Sequence, residues 1–267
     1  MPLICVCSPK GGVGKTTLTA NLAYALSRAG NKVLALDFDV QNALRLHFGV
    51  PLSETRGFVA KATEVQDWSQ SVLTVGTNLF VLPYGEASET QSELFTEALK
   101  QDKHFLARGL NTLLNYPGLI IIADFPPGPS PALKAISPMA DLHLVVLQAD
   151  SASLSMLPYV ENQRLTGDVL NQKSGHYFIL NQTDSRRQVS RDVASFVEQH
   201  LGDQLLGMVH RDESAVEANA SQQSIFDFNP SSAAAFDIEL IAKKVVGILG
   251  IEVGDGTVHS VPRMSGT

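Results

Sequence analysis

The chain has 267 residues, 44% of them hydrophobic and 18% charged, which is long enough for one large α/β core without requiring a second domain. A formal net charge of −7 argues against specific binding of duplex DNA through the body of the protein, because neutralising phosphates needs clustered Lys and Arg. No apolar run approaches the ~18 residues of a membrane span, and no charged n-region precedes an apolar h-region, so the expectation is a soluble cytoplasmic protein with no intrinsic membrane anchor.

Residues 3–7 form a short apolar, β-branched run that reads as a buried strand. They carry the only two cysteines, Cys5 and Cys7, whose spacing points both thiols to one face and is too tight for an unstrained bridge. Directly after comes Ser8-Pro9-Lys10-Gly11-Gly12-Val13-Gly14-Lys15-Thr16-Thr17, and residues 18–28 then carry Leu18, Leu22, Ala25 and Leu26 at helical spacing. The pattern G-x-x-x-x-G-K-[ST] is one glycine short on the upstream side. Its physical core survives: Gly12 and Gly14 let successive N–H groups turn inward, and an anion sits at the N-terminus of the following helix. Lys15 is placed to reach the β- and γ-phosphates, the Thr16 hydroxyl to ligate Mg²⁺, and Thr17 to bond the α-phosphate.

Residues 32–39 read as a second, fully covered parallel strand with Asp37 and Asp39 at its C-terminal end, the side on which open α/β sheets bind ligands. Residues 50–78 show no long period and are read as short helices and loops; residues 79–85 are a third strand ended by Pro83 and Gly85. Residues 86–115 fit one or two helices with Leu94, Leu99, Phe105, Leu106 and Leu110 as apolar positions, the first capped through Ser88 and Gln91. Four apolar residues, Leu119 to Ile122, lead through Ala123 to Asp124, a strand that holds a carboxylate rigidly enough to position a magnesium-bound water. Strands are expected at residues 142–149, 177–182 and 205–209, with helices over 151–166 and 186–200. His143 reads as a core histidine. A final helix starts after residues 229–232, with Phe236, Leu240, Ile241 and Val245 as its buried stripe. From residue 251 a flexible tail is expected, leaving one domain over residues 1–250 with no internal repeat.

The segment Lys10-Gly11-Gly12-Val13-Gly14-Lys15-Thr16-Thr17 resembles the deviant Walker A loop of the MinD/ParA ATPases. Asp37-Phe38-Asp39-Val40-Gln41 resembles their switch I and Asp124-Phe125-Pro126-Pro127-Gly128 their switch II. The resemblance implies a single-domain P-loop NTPase fold, a mostly parallel β-sheet with helices on both faces, and ATP with Mg²⁺ as ligands. It implies that Asp39 orients the attacking water, that Asp37 and Asp124 help hold Mg²⁺, and that the Gly128 N–H senses the γ-phosphate. It further implies that Asn181 bonds the adenine ring and that Lys10 reaches the partner's nucleotide in an ATP-dependent homodimer. Relatives usually have proline where this chain has His210.

A narrower likeness, carried by residues 42–50, Gln66-Asp67-Trp68, Leu82-Pro83-Tyr84-Gly85 and His210-Arg211-Asp212-Glu213, is to the BcsQ (YhjQ) family encoded with bacterial cellulose synthase. It implies subunits of the cellulose synthase or secretion complex as partners, with recruitment to the inner membrane or pole through them. A DNA-segregation or division-site ATPase, and a scaffold that binds ATP without hydrolysing it, share the same binding motifs.

Overall fold

The structure is a computed structural model that describes residues 2–167 and 175–251. Eight strands, β1 (Leu3–Cys7), β2 (Lys32–Asp37), β3 (Leu73–Gly76), β4 (Leu79–Leu82), β5 (Leu119–Asp124), β6 (Leu142–Gln148), β7 (Gly175–Thr183) and β8 (Leu205–His210), form one sheet in the order β3-β4-β2-β5-β1-β6-β7-β8. All neighbours are parallel except β3 and β4.

The sequence dictates two covered faces, because the central strands are apolar at every position rather than at every second one. Along β1, Leu3, Cys5 and Cys7 enter one core cluster while Ile4 and Val6 enter the other, the period of two expected of a strand. Helix α1 (Lys15–Arg28) packs Leu18, Leu22 and Leu26 onto the Val6 face. Phe95 and Leu99 of α2 (Glu89–Gln101) and Leu133 and Ile136 of α3 (Pro131–Ile136) cover the Cys5 face, as do Val193 and Val197 of α4 (Gln188–Leu201). Beyond β8 lie α5 (Glu213–Ala220) and α6 (Ala233–Leu249), the latter against α1 and β8. Cys5 and Cys7 are buried free thiols, and burial pushes the Cys7 thiol up to about 12, so it stays protonated and inert.

Several elements depart from their sequence-based expectation. Residues 73–76 are an antiparallel edge strand, not loop. The region 151–166 holds two short helices, Ser151–Ser155 and Leu157–Glu161, instead of one. The buried stripe of α6 is Ile238, Ile241, Ala242 and Val245, while Phe236 is 62% and Leu240 42% exposed. Ile241 is drawn in because β8 carries Gly207, whose missing side chain leaves room: a Cβ there would lie 2.8 Å from Ile241 Cγ1. Ser88 and Gln91 do form a reciprocal capping box at the start of α2. The expected tail beyond Ile251 lies outside the described residues.

Candidate nucleotide-binding site

The strand order brings the C-terminal ends of β2, β5, β1, β6 and β7 side by side, and with them Asp37, Asp124, the glycine-rich loop, Asp150 and Asn181. Gly12 (φ 76°) and Gly14 (φ 81°) adopt the left-handed conformation that side chains disfavour. Gly14 is also the N-cap of α1, and no side chain caps that helix. The free N–H groups of its first turn therefore add to the inward-turned loop, which is an anion cradle. A Cβ on Gly12 would meet nothing within 4 Å, so the loop is open on that side; one on Gly14 would come within 2.5 Å of Asn181 Nδ2.

Beneath the loop, three side chains of α1 converge on one carboxylate. Lys15 Nζ lies 2.7 Å from Asp124 Oδ1, Thr16 Oγ1 donates to Asp124 Oδ2 at 2.7 Å, and Thr19 Oγ1 donates to Asp124 Oδ1 at 3.1 Å. Asp37 is the register partner of Asp124 on the neighbouring strand, and neither has any solvent exposure. Its carboxylate accepts the backbone N–H groups of Asp39 (2.9 Å) and Leu44 (3.2 Å). Burial pushes both acids up; the proximity of Asp124 adds to this for Asp37, while the Lys15 ammonium opposes it for Asp124. Two adjacent buried acids, of which only Asp124 is paired with a lysine, make a place where a further cation is favoured.

The donor set suits a hard cation such as Mg²⁺, which takes one or two carboxylates, a hydroxyl, phosphate oxygens and water. Among the described residues no group of three or more His, Cys, Asp or Glu could hold a metal by itself.

The other predicted residues are placed as follows. Asp39 does not join the Asp37–Asp124 pair; its carboxylate accepts the Gln41 N–H (3.0 Å) within a tight turn. Lys10 Nζ is paired with Asp150 Oδ2 at 2.7 Å. The Gly128 N–H, expected to face phosphate, donates to the Ser8 carbonyl at 2.8 Å, which ties the switch II segment to the root of the loop. Thr17 and Asn181 line a cavity of about 290 Å³ together with Gly14, Val209, Asp212 and Ile238. Asn181 Nδ2 donates to the Val13 carbonyl (2.7 Å), which fixes which end of the amide meets the loop. His210 replaces the expected proline with two bonds to Asp237 Oδ2, from its backbone N–H (2.9 Å) and from its ring Nδ1 (2.7 Å).

The motifs did not reveal Thr19 or Asp150. Thr19 stands one helical turn beyond Lys15 and so shares its face of α1, and Asp150 follows a strand end next to the loop, as Asp37 and Asp124 end theirs.

A glycine-rich loop between a central parallel strand and a helix, with strand-end carboxylates beside it, is the P-loop arrangement, and the fold is the one seen in MinD and ParA structures. The similarity to solved structures agrees: the septum site-determining protein MinD of Pyrococcus horikoshii, complexed with Mg-ADP, superposes with a TM-score of 0.73 at 24% identity, covering 95% of this chain and 99% of that one. The chain belongs to the family described as "Cellulose biosynthesis protein BcsQ", whose family model matches residues 1–246. It is 28% identical over 236 residues to the BcsQ protein of Salmonella typhi, 87% of this chain and 89% of that protein. An uncharacterised ATP-binding protein of Methanocaldococcus jannaschii is 30% identical over 251 residues, covering 91% and 87%.

Proposed function

We propose that this protein is a MinD-like ATPase that binds Mg-ATP at the 10–17 loop, dimerises with it, hydrolyses it slowly, and regulates or localises a bacterial cellulose synthase and secretion complex. The convergence of Lys15, Thr16 and Thr19 on Asp124, beneath an uncapped glycine loop, carries this reading. With a triphosphate bound in the loop, the Lys15 ammonium would exchange Asp124 for phosphate and the Thr16 hydroxyl would be available as a metal ligand. Asp37, Asp124 and Thr16 would hold Mg²⁺, which would supply charge neutralisation for the phosphates. Asp39, whose carboxylate lies outside the buried pair and accepts only the Gln41 N–H, is free to orient the attacking water.

Lys10 and Asp150 make the dimer switchable. Their pair is 33% and 30% exposed, so it is worth little and is readily exchanged for a phosphate on a second subunit. Occupancy of the nucleotide site then biases dimerisation by as much as the dimer binds ATP more tightly than the monomer does.

Membership of the BcsQ family supports cellulose-complex subunits as partners. No helix among the described residues is long and apolar enough to cross a membrane. Phosphate release from purified protein, alone and with cellulose synthase subunits, tests hydrolysis; stoichiometric ATP binding without turnover would make it a scaffold. A pull-down from the native organism should recover those subunits, and recovery of chromosome partition proteins in their place would sink the assignment.

A further inference from the structure

A second surface borders the candidate site and is used by none of the roles above. Val40 is the residue after Asp39 and forms the tip of a tight turn. The Asn42 N–H bonds the Asp39 carbonyl (2.9 Å), and Asn42 Oδ1 in turn accepts the Gly85 N–H at 3.2 Å. The turn is therefore fixed, and it presents Val40 to solvent at 60% exposure. Across a shallow, open groove stands Leu94, 53% exposed on the outer side of α2, whose inner side buries Phe95 and Leu99. Among hydroxyl side chains, the charged part of the lining is net acidic: Glu89, Glu93 and Glu97 stand against Lys100, which pairs with Glu97 at 3.7 Å.

We infer that this groove docks a basic amphipathic segment of a partner protein. Two aliphatic anchors, Val40 on a hydrogen-bonded turn and Leu94 on helix α2, within a rim of net negative charge, match a helix presenting aliphatic residues at i, i+3, i+4 and i+7 and Lys or Arg beside them. The same charge disfavours an anionic lipid surface or nucleic acid, both of which repel the glutamates. Opposite charge also speeds encounter and sets the register of the docked helix. Because Val40 shares its turn with Asp39, whatever grips Val40 bears on the orientation of the Asp39 carboxylate. Any coupling so produced is reciprocal: a nucleotide state that moves this turn changes partner affinity by the same factor. The docking surface itself stands whether or not the protein hydrolyses ATP.

The probe is an 18-residue helical peptide of Leu and Lys, with Leu at i, i+3, i+4 and i+7, together with its counterpart carrying Glu for Lys. Fluorescence anisotropy with the full chain should give saturable 1:1 binding of the Lys peptide, at least tenfold weaker for Leu94→Ser, Val40→Ser and Glu93→Lys, and no binding of the Glu peptide. Leu94→Ser and Glu93→Lys should keep the wild-type circular dichroism spectrum and nucleotide affinity, which separates loss of the surface from loss of the fold. Equal binding to wild type and Leu94→Ser, or equal binding of both peptides, overturns the proposal. So does self-association of the wild type that Leu94→Ser abolishes, because the occupant is then a second copy of the chain.

Discussion

Replacing Lys15 by Met keeps the apolar stem of the side chain and deletes only its charge, which isolates the ion pair with Asp124. That pair is 6% and 0% exposed, and removing one partner of a buried pair costs about 3–5 kcal/mol because the other charge is stranded. For a chain of this size that corresponds to a fall in Tm of roughly 6–20 °C, at about 2–4 °C per kcal/mol.

The stranded acid has an escape, since it can take up a proton. With Lys15 gone, the largest influence opposing the upward push of burial on Asp124 is lost and only the Thr16 and Thr19 hydroxyls still oppose it, so the folded variant binds a proton that the unfolded chain, near the ordinary value of 3.8, has released. Stability of the variant is then lost as pH rises from that value towards the folded pKa. The penalty relative to wild type should shrink on acidification by up to about 1.4 kcal/mol per pH unit. Urea unfolding of both proteins at pH 8, 7, 6 and 5 measures it, and Lys15→Met/Asp124→Asn should recover most of the loss. A variant as stable as wild type at pH 8, or equally weakened at every pH, would refute the assignment of a buried charged pair.

Other expectations follow from the same geometry. Asp39→Ala should bind ATP normally and lose turnover by about 10²- to 10⁴-fold in a phosphate-release assay, the range for a positioned acid–base group; loss of binding as well would make Asp39 structural. Lys10→Ala should bind ATP yet stay monomeric in light scattering, and an ATP-dependent dimer of this variant would refute the trans role. Burial lowers His143 to about 3, from 6.5, so the stability it contributes is complete above pH 6.5 and is lost as pH falls towards 3. That amounts to about 2 kcal/mol by pH 5. His143→Gln should flatten this part of the urea-unfolding profile, and an unchanged profile would show that other groups carry it.

The site was legible where its chemistry is local in sequence. The loop and the strand-end acids Asp37 and Asp124 lie in contiguous motifs, and continuous apolar runs marked the central parallel strands. Contacts made across the sheet were not legible. The Lys10–Asp150 pair joins residues 140 apart, and nothing in the sequence says that the Gly128 N–H is tied to the Ser8 carbonyl. Edge strand β3 escaped notice because four residues with a mixed pattern carry too little period. In α6 the apolar residues run almost all round, so periodicity alone cannot choose a face; the missing side chain of Gly207 helps choose it.

The central claim is that the 10–17 loop, with Asp37 and Asp124 beneath it, is a Mg-ATP site. Calorimetric titration of the purified chain with a non-hydrolysable ATP analogue and Mg²⁺ tests it most directly. The expected result is one nucleotide per chain, tighter with Mg²⁺ than without, and no detectable binding to Lys15→Ala. Absence of binding to the wild type at millimolar nucleotide, or undiminished affinity in Lys15→Ala, would contradict it.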